Sequence, residues 1–380
     1  MYNSKNEKER LQELINKKET DYARTIYLNP VKEYIDPKTD LKEKKLFFTN
    51  SPVCIGIASE IPNKGDWFTV QLINTPLLIV RKNSNDIVAY LNICSHRGAK
   101  IAKCSGKNAY SFKCPYHSWV YNLEGKLIGR PREKAFDKIT RDKCNLKEIK
   151  IQNYNGFLWL TLNSQAEQKY KKHIKDLKSL LNNYNLNNYY YYQNKKMYRK
   201  INWKLAVDTF LEIYHIDSLH YKTLSPIIMS DLAIFDSFGS HLRIIGTRTS
   251  VLDKKNSLNT DKDFNKHTLK LCVLFPNTIL VGHHEHVEVW HILPGNKVNE
   301  SEISLSLFSK EKINTESAKK HWKNNFSLAV NVVEKEDFPL GEDIQKGFYA
   351  DPDRKLIFGK NEPGLQHFHK SIKSALKNFS

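Results

Sequence analysis

The chain has 380 residues, enough for two or three domains at about 150 residues each, and its 40% hydrophobic and 27% charged residues suit a globular protein that buries a core. Sixty Lys and Arg against 41 Asp and Glu give a net charge of +19, but the Lys are scattered beside Asn, Ile and Tyr, which favours dispersed solvated faces over a nucleic-acid surface. No apolar run reaches the roughly 18 residues of a membrane span. The charged N-terminus lacks the apolar stretch of a signal peptide, and six unevenly spaced cysteines do not make a disulfide framework. A cytoplasmic protein with no membrane or nucleic-acid partner is therefore expected.

In chain order, residues 1–44 are expected to form a helical segment, with Leu11, Leu14 and Ile15 as a narrow apolar stripe. Over 45–163, β-rich runs such as WFTVQLI, LLIVRK, DIVAYLNI, SWVYNL and GFLWLTL alternate with Asn/Gly turns, which predicts an all-β domain of hairpins. Over 164–380 the pattern is mixed. KYKKHIKDLKSLLNNYNL and NWKLAVDTFLEIYHIDSLH have helical spacing, HLRIIGT, LCVLFPNTILVGH and VEVWHILPG are strands, and 315–347 and 363–378 are helical. The fold class is α+β.

The densest chemistry lies in CSHRGAKIAKCSGKNAYSFKCPYHSW, residues 94–119. Cys94 and His96 form one pair, Cys114 and His117 a second after a 17-residue gap, so four metal ligands fall within 24 residues. Such pairs suit two hairpin tips brought together, with Gly98 free to take positive φ and Pro115 fixing its own. Two Cys and two His hold either tetrahedral zinc or a [2Fe-2S] cluster with thiolates on one iron and imidazoles on the other. The common zinc spacing, two close Cys followed by two close His, is absent.

CSHRGA and FKCPYHSWVYNLEGKL resemble the Rieske [2Fe-2S] motif of the Rieske non-haem iron oxygenases, and the likeness takes in Arg97, Gly98, Tyr116, Trp119, Tyr121, Gly125 and Pro131. Respiratory Rieske proteins carry a disulfide; Tyr116 stands in place of one of its cysteines and Cys104 lies too far on to supply the other, which favours the oxygenase branch. The resemblance implies an oxygenase α subunit: an all-β Rieske domain followed by a helix-grip catalytic domain in which helices pack on an antiparallel sheet. Imidazole ligation sets the cluster potential at roughly −150 to +300 mV, against about −400 mV for all-cysteine ligation.

An oxygenase of this kind needs a second, mononuclear Fe(II) held by two His and one carboxylate. NWKLAVDTFLEIYHIDSLH resembles the family's iron helix and would supply His215 and His220. Five residues apart, they point about 140° from each other on a straight helix, so a break is expected between them, near Asp217-Ser218. VVEKEDFPLGEDIQKGF resembles the segment whose aspartate completes the triad, which nominates Asp337, 117 residues after His220; Glu334, Glu336, Glu342 and Asp343 are competitors expected on a solvated helix face. That separation is similar to the homotrimeric oxygenases of quaternary ammonium compounds.

In the family, electrons cross between subunits through a carboxylate bridging a Rieske histidine and an iron histidine. Glu212, three residues before His215, is on the same helical face; Asp217 serves only if the helix has broken, and Asp208 is a further acid there. His117, with His96 second, is implied as the cluster side of that path. The implied partners are an NAD(P)H-dependent flavin/iron-sulfur reductase, with or without a ferredoxin, O2, a small-molecule substrate and two further copies of the chain. Rival readings are a ring-hydroxylating dioxygenase with a β subunit, a simple electron carrier, and a zinc-dependent nucleic-acid-binding protein. His283, His284, His286 and His291 are expected on a strand, one or two lining a pocket and the rest at the surface. Cys54, Cys104, Cys144 and Cys272 are expected to be inert.

Overall fold

The computed structural model describes residues 6–163, 167–253 and 258–379. The chain divides into a smaller unit, Phe47–His173 with Tyr184–Asn188, and a larger one, Met1–Leu46, Ile174–Asn183 and Tyr189–Ser380. The domain limit expected at 163/164 abuts residues 164–166, and it lies, like residues 1–5 of the N-terminal segment, outside the described residues.

The smaller unit is all-β. Trp67–Leu72, Thr75–Arg81, Ile87–Leu91 and Glu148–Ile149 form one antiparallel sheet, Ser111–Lys113, Val120–Asn122 and Leu127–Gly129 a second, and Ile151–Tyr154, Phe157–Leu160 and Val53–Ile57 a third. The Asn-Tyr-Asn-Gly turn closes with Gly156 at φ +90°, and a Cβ there would sit 2.6 Å from the Asn187 backbone nitrogen, so only glycine fits. Leu78, Val80, Tyr90, Trp119, Tyr121 and Leu127 pack in one core with Cys94 and Cys114. Each large apolar side chain buried there stabilises by about 1.5–3 kcal/mol. The same packing thus holds the unit together and roots the two cysteine loops.

The larger unit is built on a seven-stranded antiparallel sheet in the order Tyr190–Arg199, Ser301–Ser309, His286–Pro294, Thr278–Gly282, Thr268–Leu274, His241–Arg248 and Ile228–Phe238. Every residue of Thr278–Gly282 and His286–Pro294 is buried, so these central strands are covered on both faces. Helices Glu316–Val332, Phe338–Ala350 and Pro363–Lys377 accompany the sheet, and the last packs on its two strands His241–Arg248 and Ile228–Phe238. A described helix at Glu7–Lys17 buries Leu11 against Leu232 and Ile234.

One short segment is tied down from several directions. Asn202 caps helix Trp203–Asp208 by accepting the Lys204 N–H, and its own N–H donates to Gln345 Oε1 at 2.8 Å. Trp203 and Lys204 are wholly buried, and both donate to the Glu43 carboxylate, at 3.1 and 2.6 Å. Asn202 and Trp203 therefore serve packing. Gln345, in VVEKEDFPLGEDIQKGF, is one of the ties.

The single helix expected over 202–220 is instead two, Trp203–Asp208 and Ile216–Leu219, with turned backbone between them. The break comes before His215, and Asp217-Ser218 lie inside the second helix. The first helix tightens at its end, where Phe210 N–H donates to Val207 O and Leu211 N–H to Asp208 O, and Glu212 then holds the turned segment. Its carboxylate accepts the backbone N–H groups of Tyr214 and His215, an alternative to helical hydrogen bonding that apolar spacing does not reveal.

Candidate metal centres

The four ligands expected for a cluster sit on two loops of matching conformation. In the first, Cys94 N–H donates to Ala99 O and Gly98 N–H to Cys94 O; in the second, Cys114 N–H donates to Trp119 O and Ser118 N–H to Cys114 O. Gly98 and Ser118, each four residues after its cysteine, both have positive φ, +71° and +59°. Nothing lies within 4 Å of a Cβ built on Gly98, so glycine is favoured there by its backbone angle rather than by space. Ser118 takes the same angle without that help, a constraint that sequence reading had missed.

Both cysteines are buried and free. Burial raises the Cys94 thiol pKa, and the neighbouring Cys114 adds to the rise; the Tyr121 hydroxyl, 3.3 Å from Cys94 Sγ, opposes it. The His96 and His117 rings are 4.5 Å apart, His96 stacks on Trp119 at 4.9 Å, and Arg97 donates to the Tyr116 hydroxyl beside His117. Among the described residues, His96 Nδ1 is buried with no hydrogen-bond partner. An orphaned imidazole nitrogen costs free energy unless something binds it, and with two adjacent thiols this donor set fits a [2Fe-2S] group with mixed ligation.

In the larger unit, ligand atoms of His215, His220 and Asp337 lie within 4.8 Å of one another. Asp337 Oδ1 is 3.2 Å from His220 Nε2 and 3.7 Å from His215 Nε2. The Nδ1 edge of each ring faces a different carboxylate: Glu212 for His215, and Glu336 at 2.6 Å for His220. A carboxylate holds a proton on the nitrogen it faces, so the Nε2 lone pairs are left to converge with Asp337. Burial alone would lower the His220 pKa, but Asp337 and Glu336 overcome it and raise it. Two imidazoles and one carboxylate facing a cavity fit Fe(II) with coordination positions to spare.

Glu336 is the carboxylate at the triad that the sequence does not single out. Residues Val333–Asp337 form a π-helical turn between Glu316–Val332 and Phe338–Ala350. The wider turn lets two adjacent acids clamp opposite edges of one imidazole, Glu336 at Nδ1 and Asp337 at Nε2, while Glu336 also accepts from Thr223 Oγ1 at 2.8 Å. The competing acids go elsewhere: Glu334 pairs with Lys195 and Arg199, Glu342 accepts the Lys200 N–H, and Asp343 pairs with exposed Lys346. Asp217 accepts from Ser225 Oγ at 2.8 Å. Asp208 is buried between Tyr34 and His369, at 2.6 and 2.8 Å.

The iron-type triad opens onto a cavity of about 510 Å3, lined between its polar ends by Leu224, Ile228, Leu269, Leu271 and Val281. His283, His284 and His286 line it too, and His291 is buried with its pKa pushed down to about 4. None of the four is fully exposed, contrary to the strand expectation: 283–285 turn between Thr278–Gly282 and His286–Pro294, where alternation does not hold, and His286 and His291 sit on a strand buried on both faces. Cys54, Cys144 and Cys272 are buried and Cys104 is exposed.

Residues 51–154 match the Rieske [2Fe-2S] domain family, and residues 186–378, half of the chain, match the catalytic domain of the ring hydroxylating alpha subunit family. The carnitine monooxygenase oxygenase subunit of Escherichia coli is 25% identical over 92% of this chain and 94% of its own. The glycine betaine monooxygenase oxygenase subunit of Chromohalobacter salexigens is 29% identical over 52% of this chain, and the anthranilate 1,2-dioxygenase large subunit of Acinetobacter baylyi 30% over 51%. The chain spans under half the length of those last two relatives, 44% and 42%. A solved quaternary ammonium Rieske monooxygenase in complex with L-carnitine shares the fold at TM-score 0.76 and 19% identity, over 93% of this chain and 96% of that one. With both family matches falling on the segments that carry the two ligand sets, the chain belongs to the ring hydroxylating alpha subunit family of Rieske oxygenases.

Proposed function

We propose that the protein is the terminal oxygenase of a system that uses O2 and reductase electrons to hydroxylate or demethylate a small quaternary ammonium compound of the carnitine or glycine betaine kind. The observation that carries this is the pair of ligand sets in one chain, four Cys/His atoms on two matched loops and a His215–His220–Asp337 triad at a cavity. A zinc-binding nucleic-acid protein or a simple electron carrier leaves the triad without a task. The compounds named for the full-length relative and the two partial ones pair a nitrogen with a carboxylate, and this supports a small nitrogen-bearing acid as substrate.

Cys94, His96, Cys114 and His117 would hold a [2Fe-2S] group, and His215, His220 and Asp337 a mononuclear iron; the two supply one-electron transfer and O2 activation respectively. The protein's own work is positional. Glu212 and Glu336 fix the tautomers of His215 and His220, and the apolar cavity wall excludes water while a substrate is oriented. Glu212 is half of the proposed carboxylate bridge toward His117 of a neighbouring copy in a homotrimer. A solved structure of the same fold is described in terms of inter-subunit electron transfer. The reductase is an NAD(P)H-dependent flavin/iron-sulfur protein. The proposed compartment is the cytoplasm, where free thiols stay reduced.

Anaerobic purification, iron and acid-labile sulfide assays, and an electron paramagnetic resonance spectrum after reduction test the proposal; zinc without sulfide overturns it. With iron supplied in excess so that the second centre stays loaded, Glu212→Gln is expected to abolish NADH-coupled product formation, and undiminished turnover would remove Glu212 from the electron path.

A further inference from the structure

In the same cavity as the triad, His283, His286 and Glu288 bring three ligand atoms within 4.8 Å of one another, a set that resembles a second metal site. Ring geometry argues against one. The His283 and His286 rings are parallel, 7° apart with centroids at 4.2 Å. Nitrogen lone pairs lie in the ring planes, so one ion cannot lie in both. His283 Nδ1 is moreover engaged by Arg248 Nη2 at 2.8 Å, which can only donate. The imidazole proton is therefore on Nε2, 3.4 Å from Glu288 Oε1, and Nε2 has no lone pair to offer a metal.

The chain of contacts runs from a guanidinium through a neutral imidazole to a carboxylate. Trp290 Nε1 also donates to Glu288, at 3.2 Å. Burial would raise the Glu288 pKa, but the N–H groups of His283 and His286 hold it well below the usual range, so Glu288 is an anion. Its charge faces the indole and imidazole donors. Arg248 is left otherwise. Its Nε reaches Thr268 O at 3.4 Å, its Nη2 is spent on a neutral acceptor, and among the described residues no carboxylate lies within ion-pair distance of it. It lines the cavity, and a half-buried guanidinium paired only with neutral groups is favourable chiefly if an anion arrives.

We propose that Arg248, aimed by His283, is the anchor for an acid group of the substrate, a carboxylate or sulfonate, which sets the reacting carbon toward the His215–His220–Asp337 end. This rests on reading the cavity as the substrate chamber of the oxygenase and names the chemistry that chamber selects. Glu288 acts one step back, its carboxylate 3.4 Å from His283 Nε2 and itself accepting from Trp290 Nε1. A planar guanidinium can meet a carboxylate through two parallel N–H donors, which fixes direction as well as affinity.

Calorimetric titration of the iron-loaded protein under nitrogen tests the anchor without turnover. The probes are carnitine, glycine betaine and anthranilate, each against its own amide. At least one acid is expected to bind about tenfold or more tighter than its amide, as a lost charged hydrogen bond implies. Arg248→Gln should erase that preference while leaving amide affinity and the melting temperature in place, and Arg248→Lys should keep part of it. No acid preferred over its amide, no measurable binding of any acid, or a preference that survives Arg248→Gln overturns the proposal. Failure of the oxygenase reading shows itself separately, as zinc without sulfide.

Discussion

The four Cys and His side chains of the two matched loops fall within 24 consecutive residues, each pair folded by its own backbone hydrogen bonds, whereas His215, His220 and Asp337 come from segments 117 residues apart. The first centre is written locally: a cysteine, a turn and a positive-φ residue, twice. The second exists only when two elements of the larger unit meet, and its imidazoles depend on carboxylates supplied from both. A local site should fail all at once and alone. An assembled one should weaken by degrees with its supports.

The largest effect expected is on the local site. Cys114→Ser should remove all acid-labile sulfide and the reduced-cluster resonance while iron still binds the larger unit; retained sulfide would show that the two loops do not act as one. Next comes Glu336→Gln, which takes an anion from behind His220 and should weaken iron binding about 10–100-fold, measured by competition with a chelator. An unchanged affinity would mean that the second centre is as self-contained as the first. Smaller again is Tyr121→Phe. It deletes a hydroxyl 3.3 Å from Cys94 Sγ, and losing a donor to a ligand sulfur should move the cluster potential negative in a redox titration, with both metals retained.

The smallest separates the units by pH. In the larger one, burial alone would depress the His369 pKa, but Asp208 and Glu33 raise it to about 9. Its contribution is therefore complete below the unfolded value near 6.5 and lost as pH rises through about 9. In the smaller one, burial depresses His173 to about 3, so stability falls as pH drops from about 6.5 toward 3. Calorimetric melting should show the larger unit's transition moving down in alkali, and His369→Gln should flatten that dependence.

The same contrast explains what the sequence made legible. The cluster ligands could be nominated because their geometry is carried by neighbours in the chain, and the family likeness of their loops is dense. His215 and His220 could be nominated as well, but the break that lets them share a site was misplaced. Apolar spacing from Trp203 to Leu219 looks continuously helical, whereas the helix stops at Asp208 and Glu212 turns back on the N–H groups of Tyr214 and His215. Glu336 was assigned to solvent because an ordinary helix sends neighbouring residues about 100° apart, and no residue in VVEKEDF announces a π turn. Arg248 and Glu288 carried no signal, since their meaning lies in a contact made across strands through His283.

The ligand separation has a consequence for chain entropy. A cluster joining His96 to Cys114 closes a loop of 18 residues, while an iron joining His220 to Asp337 closes one of 117. Loop-closure cost grows as (3/2)RT ln n, so the iron restrains the unfolded chain by roughly 1.7 kcal/mol more than the cluster does. An iron held by the triad would in that sense be a cross-link as well as a reagent, and depleting it would loosen the chain over that span.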